Sequence, residues 1–218
     1  MRILCGELCN RHQVRIAQLI EGCYAVNAAL GLLMETAAVT GARLSQLVRI
    51  RIADLDDSRP GAARLQVPPS RKGGRKVSKP THIPVPIPCS LAARLRAAGE
   101  GRPPEALLLL RSDGSPWGCG SKANHGDMFR EAVRLAGFDP NQDGITSYVF
   151  RHSAIKRWLL AGTPVMIVAK QADTSVTEIN KHYGRYILEF SDSITRAGMF
   201  ELPRPVPLLP PSPVDNQE

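Results

Sequence analysis

The chain has 218 residues, with 28 Lys and Arg against 20 Asp and Glu, a formal net charge of +8. Hydrophobic residues make up 43% of it, enough to bury a core, which excludes a wholly disordered chain. No apolar run approaches the roughly 20 residues of a membrane span, and residues 1–10 lack the apolar stretch of a signal peptide, so a cytoplasmic protein is expected.

In chain order, residues 1–24 read as an N-terminal remnant or linker. Val26, Ala29, Leu30, Leu33 and Ala37 then fall on one helical face, and Gly41 ends that helix. A short helix is expected at Leu44–Arg49, followed by a turn at Asp54–Gly61. Ala63–Val67 and His82–Val85 read as strands around a basic, glycine-containing turn. Pro84 and Pro86 demote the second strand to an edge or irregular strand. Ser90 is a candidate cap for a helix through Ala98. A helix on His125, Met128, Phe129, Ala132, Val133 and Ala136 closes at Gly137. Ser147–Ala161 is expected as a helix with Phe150, Ala154, Ile155 and Trp158 inward, closed at Gly162. Short helices at Val165–Lys170 and Val176–Lys181, and a last one at Ile187–Ala197, complete the folded part. The fold class is therefore α+β, mostly helical with a small antiparallel sheet.

From Leu202 the chain reads LPRPVPLLPPSPVDNQE. Proline at this density blocks helix and ladder hydrogen bonds. Residues 201–218 are expected as a Pro-rich disordered tail, leaving 25–200 as the main domain. Cys5, Cys9, His12 and Cys23 were weighed as zinc ligands. The Cys-x3-Cys spacing has no second pair, so reduced thiols and no metal are expected.

The charge is unevenly placed. Arg outnumbers Lys, 21 to 7, and between residues 43 and 80 ten basic residues face three acidic ones. Arg71, Lys72, Arg75, Lys76 and Lys79 cluster on the turn between the strands. Such a basic tip suits a nucleic-acid backbone, or simply stays solvated. Three further clusters combine basic and nucleophilic residues. Thr40-Gly41-Ala42-Arg43 lies at a helix junction, where Arg43 is expected to be exposed. Tyr148 and Arg151, three apart, share a helical face. Lys181-His182-Tyr183-Gly184-Arg185 alternates basic and aromatic residues, and Gly184 permits a sharp bend.

The order of these clusters resembles the catalytic domain of the tyrosine recombinase (phage integrase) family, from about Leu30 to Tyr186. Thr40-Gly41-Ala42-Arg43 resembles its first arginine box. Lys72, followed by a strand ending in Pro86, resembles its hairpin lysine. Tyr148-Val149-Phe150-Arg151-His152-Ser153 resembles its second arginine box. Thr174-Ser175 through His182-Tyr183-Gly184 resembles the nucleophile box of a subgroup that reads Gly-Thr-Ser. There are departures. Gln46 stands where the family often has an acid, Tyr148 where it has a histidine, and Thr174 where His or Trp is usual. His152 and His182 adjoin site residues, but neighbouring helical positions face different ways, so no role is assigned to them.

The resemblance implies site-specific DNA recombination through a 3′-phosphotyrosine, in a bacterial or phage-encoded mobile element. It implies Tyr183 as nucleophile and Arg43 and Arg151 as phosphate clamps. Lys72 would be the leaving-group acid, with Lys76 and Lys79 as alternatives. Tyr148 and Thr174 would be neutral hydrogen-bond donors. Arg71, Arg75, Lys76, Lys79 and Arg185 would contact DNA. Duplex DNA is the implied partner, with no cofactor, no metal and no membrane. A homo-tetramer on DNA is implied, with a monomer in solution open; Ile187–Phe200, through Phe190, Ile194 and Phe200, is the candidate segment for exchange between protomers, with packing in cis as the equal alternative. Two alternatives stand beside this: a DNA-binding remnant that no longer cuts, and a DNA-relaxing enzyme of the type IB topoisomerase kind.

Overall fold

One apolar helix organises the molecule. The structure, a computed structural model, describes residues 15–70, 81–118, 124–141 and 143–189, together with 195, 196 and 199; side chains within 185–189 are outside this description. Helix α2, Ala28–Thr40, starts at Asn27, whose side chain accepts from the N–H groups of Ala29 (2.9 Å) and Leu30 (3.2 Å). Leu30, Leu33, Met34, Ala37 and Ala38 are all buried, because this helix is surrounded by others. The hydroxyls of Thr36 and Thr40 donate to the carbonyls of Leu32 and Thr36 at 2.7 and 2.6 Å, which satisfies two polar groups in an apolar setting. Each fully buried Leu here contributes about 2 kcal/mol of hydrophobic stabilisation.

Helix α1, residues 15–26, precedes it. These residues, expected within a linker, place Ile16, Leu19 and Cys23 in the main core. The thiol of Cys23 is pushed up to about 12 by burial. Gly22 permits the contact with a later helix: a Cβ there would lie 2.5 Å from the Ala132 carbonyl oxygen. Arg15 also stacks its guanidinium 5.0 Å from the Phe138 ring centroid.

After α2 come α3 (Leu44–Leu47) and a 3-10 turn at Ile52–Asp54. The expected turn at Asp54–Gly61 holds a further strand, β1 (Leu55–Asp56), which is too short to show alternation. It pairs antiparallel with β2 (Arg64–Val67), and β2 pairs with β3 (Ile83–Pro86), in the order β1-β2-β3. Leu65 sits opposite Val85 and Val67 opposite Ile83, so one face feeds the core. Ile87 donates to Ala63 at 3.0 Å, which sets residues 83, 85 and 87 toward β2. By alternation Pro84 and Pro86 turn their missing donors outward, as an edge strand requires.

Helix α4 (Cys89–Gly99) follows, with Leu91, Ala92 and Leu95 inward. Its cap is Pro88, without a side-chain hydrogen bond; Ser90, the expected cap, lies one residue inside the helix. Helix α5 (Gly126–Leu135) brings Phe129 edge-on to Phe150, with centroids 5.9 Å apart. Phe150 belongs to α6 (Val149–Leu160), which packs along α2. Helices α7 (Val165–Gln171) and α8 (Val176–Glu189) form a smaller cluster with α6, built on Ile155, Leu159, Val168, Ala169, Ile179 and Tyr183. The expected helix Val176–Lys181 continues in α8 through Gly184, whose φ is not positive, to Glu189, so the expected bend is absent; beyond 189 the expected last helix, apart from 195 and 196, lies outside the described residues. The architecture is α+β, mostly helical with a small antiparallel sheet. Among the described residues, no helix is long and apolar enough to cross a membrane.

Candidate active site

Gly41 is the corner from which the site is built. Its φ of +62° is a conformation that L side chains rarely adopt, and a Cβ there would lie 2.9 Å from the Trp158 ring. The chain therefore leaves α2 sharply, with its Gly41 carbonyl facing α6. Arg151 Nη1 donates to that carbonyl at 2.6 Å. Arg151 is only 3% exposed, and its Nε has no hydrogen-bond partner. Its other neighbour is the Tyr148 ring, 6.0 Å away. Burial, and then the like charge of Arg43, lower the pKa of Arg151. A buried guanidinium with a spare donor, beside a second guanidinium, is a receptor for an oxyanion.

Two residues beyond Gly41, Arg43 opens α3. Its side chain is 17% exposed, more enclosed than expected for a helix start. The reason is Asp173, at the end of α7. Arg43 Nη1 donates to the Asp173 carbonyl at 2.8 Å and lies 3.7 Å from the carboxylate. Asp173 is the described non-glycine residue with positive φ, +49°. Three groups converge on its Oδ2: the Ser70 N–H at 2.6 Å, the Gln46 amide at 3.0 Å and Arg43. Gln46 is fully buried; it also donates to the Pro68 carbonyl at 2.8 Å and accepts from the Arg43 N–H at 3.0 Å. Both donors of that amide, and its oxygen as an acceptor, are thus engaged.

Tyr183 lies on the buried face of α8 with Ile179 and is 7% exposed. Its hydroxyl meets Nδ1 of His152. His152 falls four residues after Tyr148, hence one turn along the same face. The Tyr148 ring packs edge-on to it, with centroids 4.7 Å apart at 77°. The earlier expectation weighed His152 only as a neighbour of Arg151; the four-residue spacing to Tyr148 was the signal that locates it. Burial first, then Arg151 and His182, push the pKa of His152 below its ordinary value, so the neutral ring prevails at neutral pH. His182 faces outward on α8, 3.4 Å from Glu178.

Arg43, Tyr148, Arg151, Thr174 and Tyr183 therefore line one cleft of about 640 Å³, joined by His152 and Asp173. Ser70, where the chain enters the basic turn, also lines it. Arg71, Lys72, Arg75, Lys76 and Lys79 lie outside the described residues, as does the Arg185 side chain. Cys5, Cys9 and His12 are likewise outside. Among the described residues no group of three His, Cys, Asp or Glu is placed to hold a metal.

The same arrangement of helices and sheet recurs in solved structures. XerA recombinase matches with a TM-score of 0.59 at 18% identity, over 84% of this chain and 63% of that one. XerH site-specific recombinase, bound to its difH substrate before cleavage, matches at 0.55 and 18% identity, over 83% of this chain and 51% of that one. The catalytic domain of bacteriophage HP1 integrase matches at 0.53 and 17% identity, over 84% of this chain and 90% of that domain. No family model and no curated sequence matches. The chain has the fold of the tyrosine recombinase catalytic domain, and it spans less than two thirds of the XerA and XerH chains.

Proposed function

We propose that this chain cuts and rejoins duplex DNA in site-specific recombination, through a phosphotyrosine formed at Tyr183. The observation that supports it is the convergence of Tyr183, Arg151 and Arg43 on one cleft of a recombinase-type fold. Tyr183 Oη attacks the scissile phosphorus, and the bond to the 5′ oxygen breaks, leaving a 3′-phosphotyrosine. Arg43 and Arg151 hold the non-bridging oxygens as charge builds on them. Thr174 and Tyr148 donate neutral hydrogen bonds. Lys72 gives a proton to the departing 5′ oxygen. Arg71, Arg75, Lys76, Lys79 and Arg185 follow the DNA backbone, and four copies act together on two duplexes. In this reading the folded chain is a catalytic unit and residues 201–218 are an appendage.

A second reading is a DNA-binding remnant. It is favoured by Tyr148 and Thr174, which replace two titratable donors. The test is a denaturant-stable protein–DNA adduct on nicked duplex of random sequence. The adduct is expected with the natural chain and lost in Tyr183→Phe. DNA binding without adduct on any duplex selects the remnant. An adduct with supercoil relaxation but no exchange between duplexes selects a relaxing enzyme.

A further inference from the structure

Resting on that reading of the cleft, we propose that His152 is the proton acceptor for Tyr183. Three observations carry this. The Tyr183 hydroxyl meets Nδ1 of His152. The two rings are 5.6 Å apart between centroids, tilted at 45°, which brings an imidazole edge to the phenol oxygen. Tyr148 also packs edge-on to the imidazole, with centroids 4.7 Å apart, so the ring contacts both tyrosines.

The surroundings keep the ring basic in form. Arg151, on the same helix, faces it with a full positive charge, and Tyr148 offers a neutral phenol. From α8 it faces Tyr183, His182 and Glu178, the last two 3.4 Å apart from each other. Arg43 and Asp173 lie across the cleft and are paired together. Partial burial and the adjacent positive groups lower the pKa of His152. The neutral ring then carries its proton on Nε2 and offers the Nδ1 lone pair to Tyr183.

During cleavage the Oη–H proton moves to Nδ1 as the Oη–P bond forms. The P–O5′ bond breaks, and its electron pair leaves on the 5′ oxygen, which takes a proton from the leaving-group acid. During rejoining the 5′ hydroxyl gives its proton back to the leaving-group acid as its oxygen attacks, the P–Oη bond breaks, and Nδ1–H returns the proton to Oη. No oxidant, metal or nucleotide enters the balance.

The test uses a pool of duplexes, att-like and random in sequence, each carrying 5′-bridging phosphorothiolate linkages. The thiolate leaves without an acid, so adduct formation reports the nucleophile side alone. The natural chain is expected to lose rate as pH falls through the lowered pKa of His152, which places the acid limb below 6.5, the ordinary histidine value. His152→Gln is expected to be about 10²-fold slower and flat across that range, and His152→Ala to be partly rescued by imidazole. ¹⁵N NMR of the natural chain should show the His152 proton on Nε2, with Nδ1 shifted in Tyr183→Phe. The proposal is overturned if His152→Gln forms adduct at the natural rate or keeps the same acid limb. It is also overturned, whatever the cleavage result, if Nδ1 carries the proton at neutral pH. A natural chain that forms no adduct overturns the cleavage reading and this role together, whereas an adduct indifferent to His152 overturns this role alone.

Discussion

Gln46 Nε2 donates to Asp173 Oδ2 at 3.0 Å, across 127 positions of sequence. This bond ties α3 to the junction of α7 and α8, the two segments that bring Arg43 and Tyr183 to the cleft. Because Ser70 and Arg43 bind the same carboxylate, one acid orients a guanidinium and anchors the start of the basic turn. Resemblance leads one to expect an acid at residue 46; here residue 46 is an amide and the carboxylate it meets belongs to residue 173.

Gln46→Glu is therefore expected to be harmful, although it restores the family's usual residue type. It would remove the donors to Pro68 and Asp173 and set two carboxylates against each other in a buried site. A loss of about 2–4 kcal/mol is expected, read by urea denaturation at pH 7.5. The double variant Gln46→Glu/Asp173→Gly should recover part of that loss, because glycine removes the second carboxylate and suits the +49° backbone. If the double variant is less stable than Gln46→Glu by the full cost of Asp173→Gly alone, the two residues are not coupled.

Gly41→Ala should cost about 1–3 kcal/mol from its backbone conformation, and more from the contact with Trp158. Since the Gly41 carbonyl also holds Arg151, adduct formation should fall more steeply than stability. Calorimetry and the nicked-duplex assay, run on the same preparation, check this. An Ala variant with unchanged melting temperature and unchanged adduct would show that the corner is not constrained.

Gly184 lies inside α8 with open space where a Cβ would stand. Gly184→Ala is thus expected to stabilise the chain by about 0.5–1 kcal/mol, raising the melting temperature by about 1–4 °C. A lowered melting temperature would show that the helix bends there after all.

Both His125 and His152 have pKa values depressed by burial, with Arg151 and His182 adding to the shift at His152. Above 6.5, the ordinary histidine value, both rings are neutral in folded and unfolded chains alike. As pH falls through that value the unfolded chain takes up protons first, so stability drops until the folded-state pKa values are passed. The melting temperature should accordingly be lower at pH 5.5 than at pH 7.5, and His125→Gln should shrink that difference. An unchanged difference in the variant would remove His125 from the account.

Helix α2, its end at Gly41, strands β2 and β3 and the edge placement of the two prolines are all legible in the sequence, because each depends on residues close to one another along the chain. Apolar period, a glycine at a helix end and prolines in a strand act locally. The site residues Arg43, Arg151 and Tyr183 were legible for a different reason: they sit in motifs whose order resembles a known family. What the sequence left undecided concerns groups that meet only after folding. Asp173 reads locally as one acid after a short helix; it becomes a hub only when Ser70 and Gln46 arrive from elsewhere. Judged beside Arg151, His152 reads as turned away from Tyr183, yet the approach of α8 to α6 brings the two rings together. Local physics set the elements of this protein, whereas the packing of α3, α6 and α8 decided which side chains share a proton or a charge.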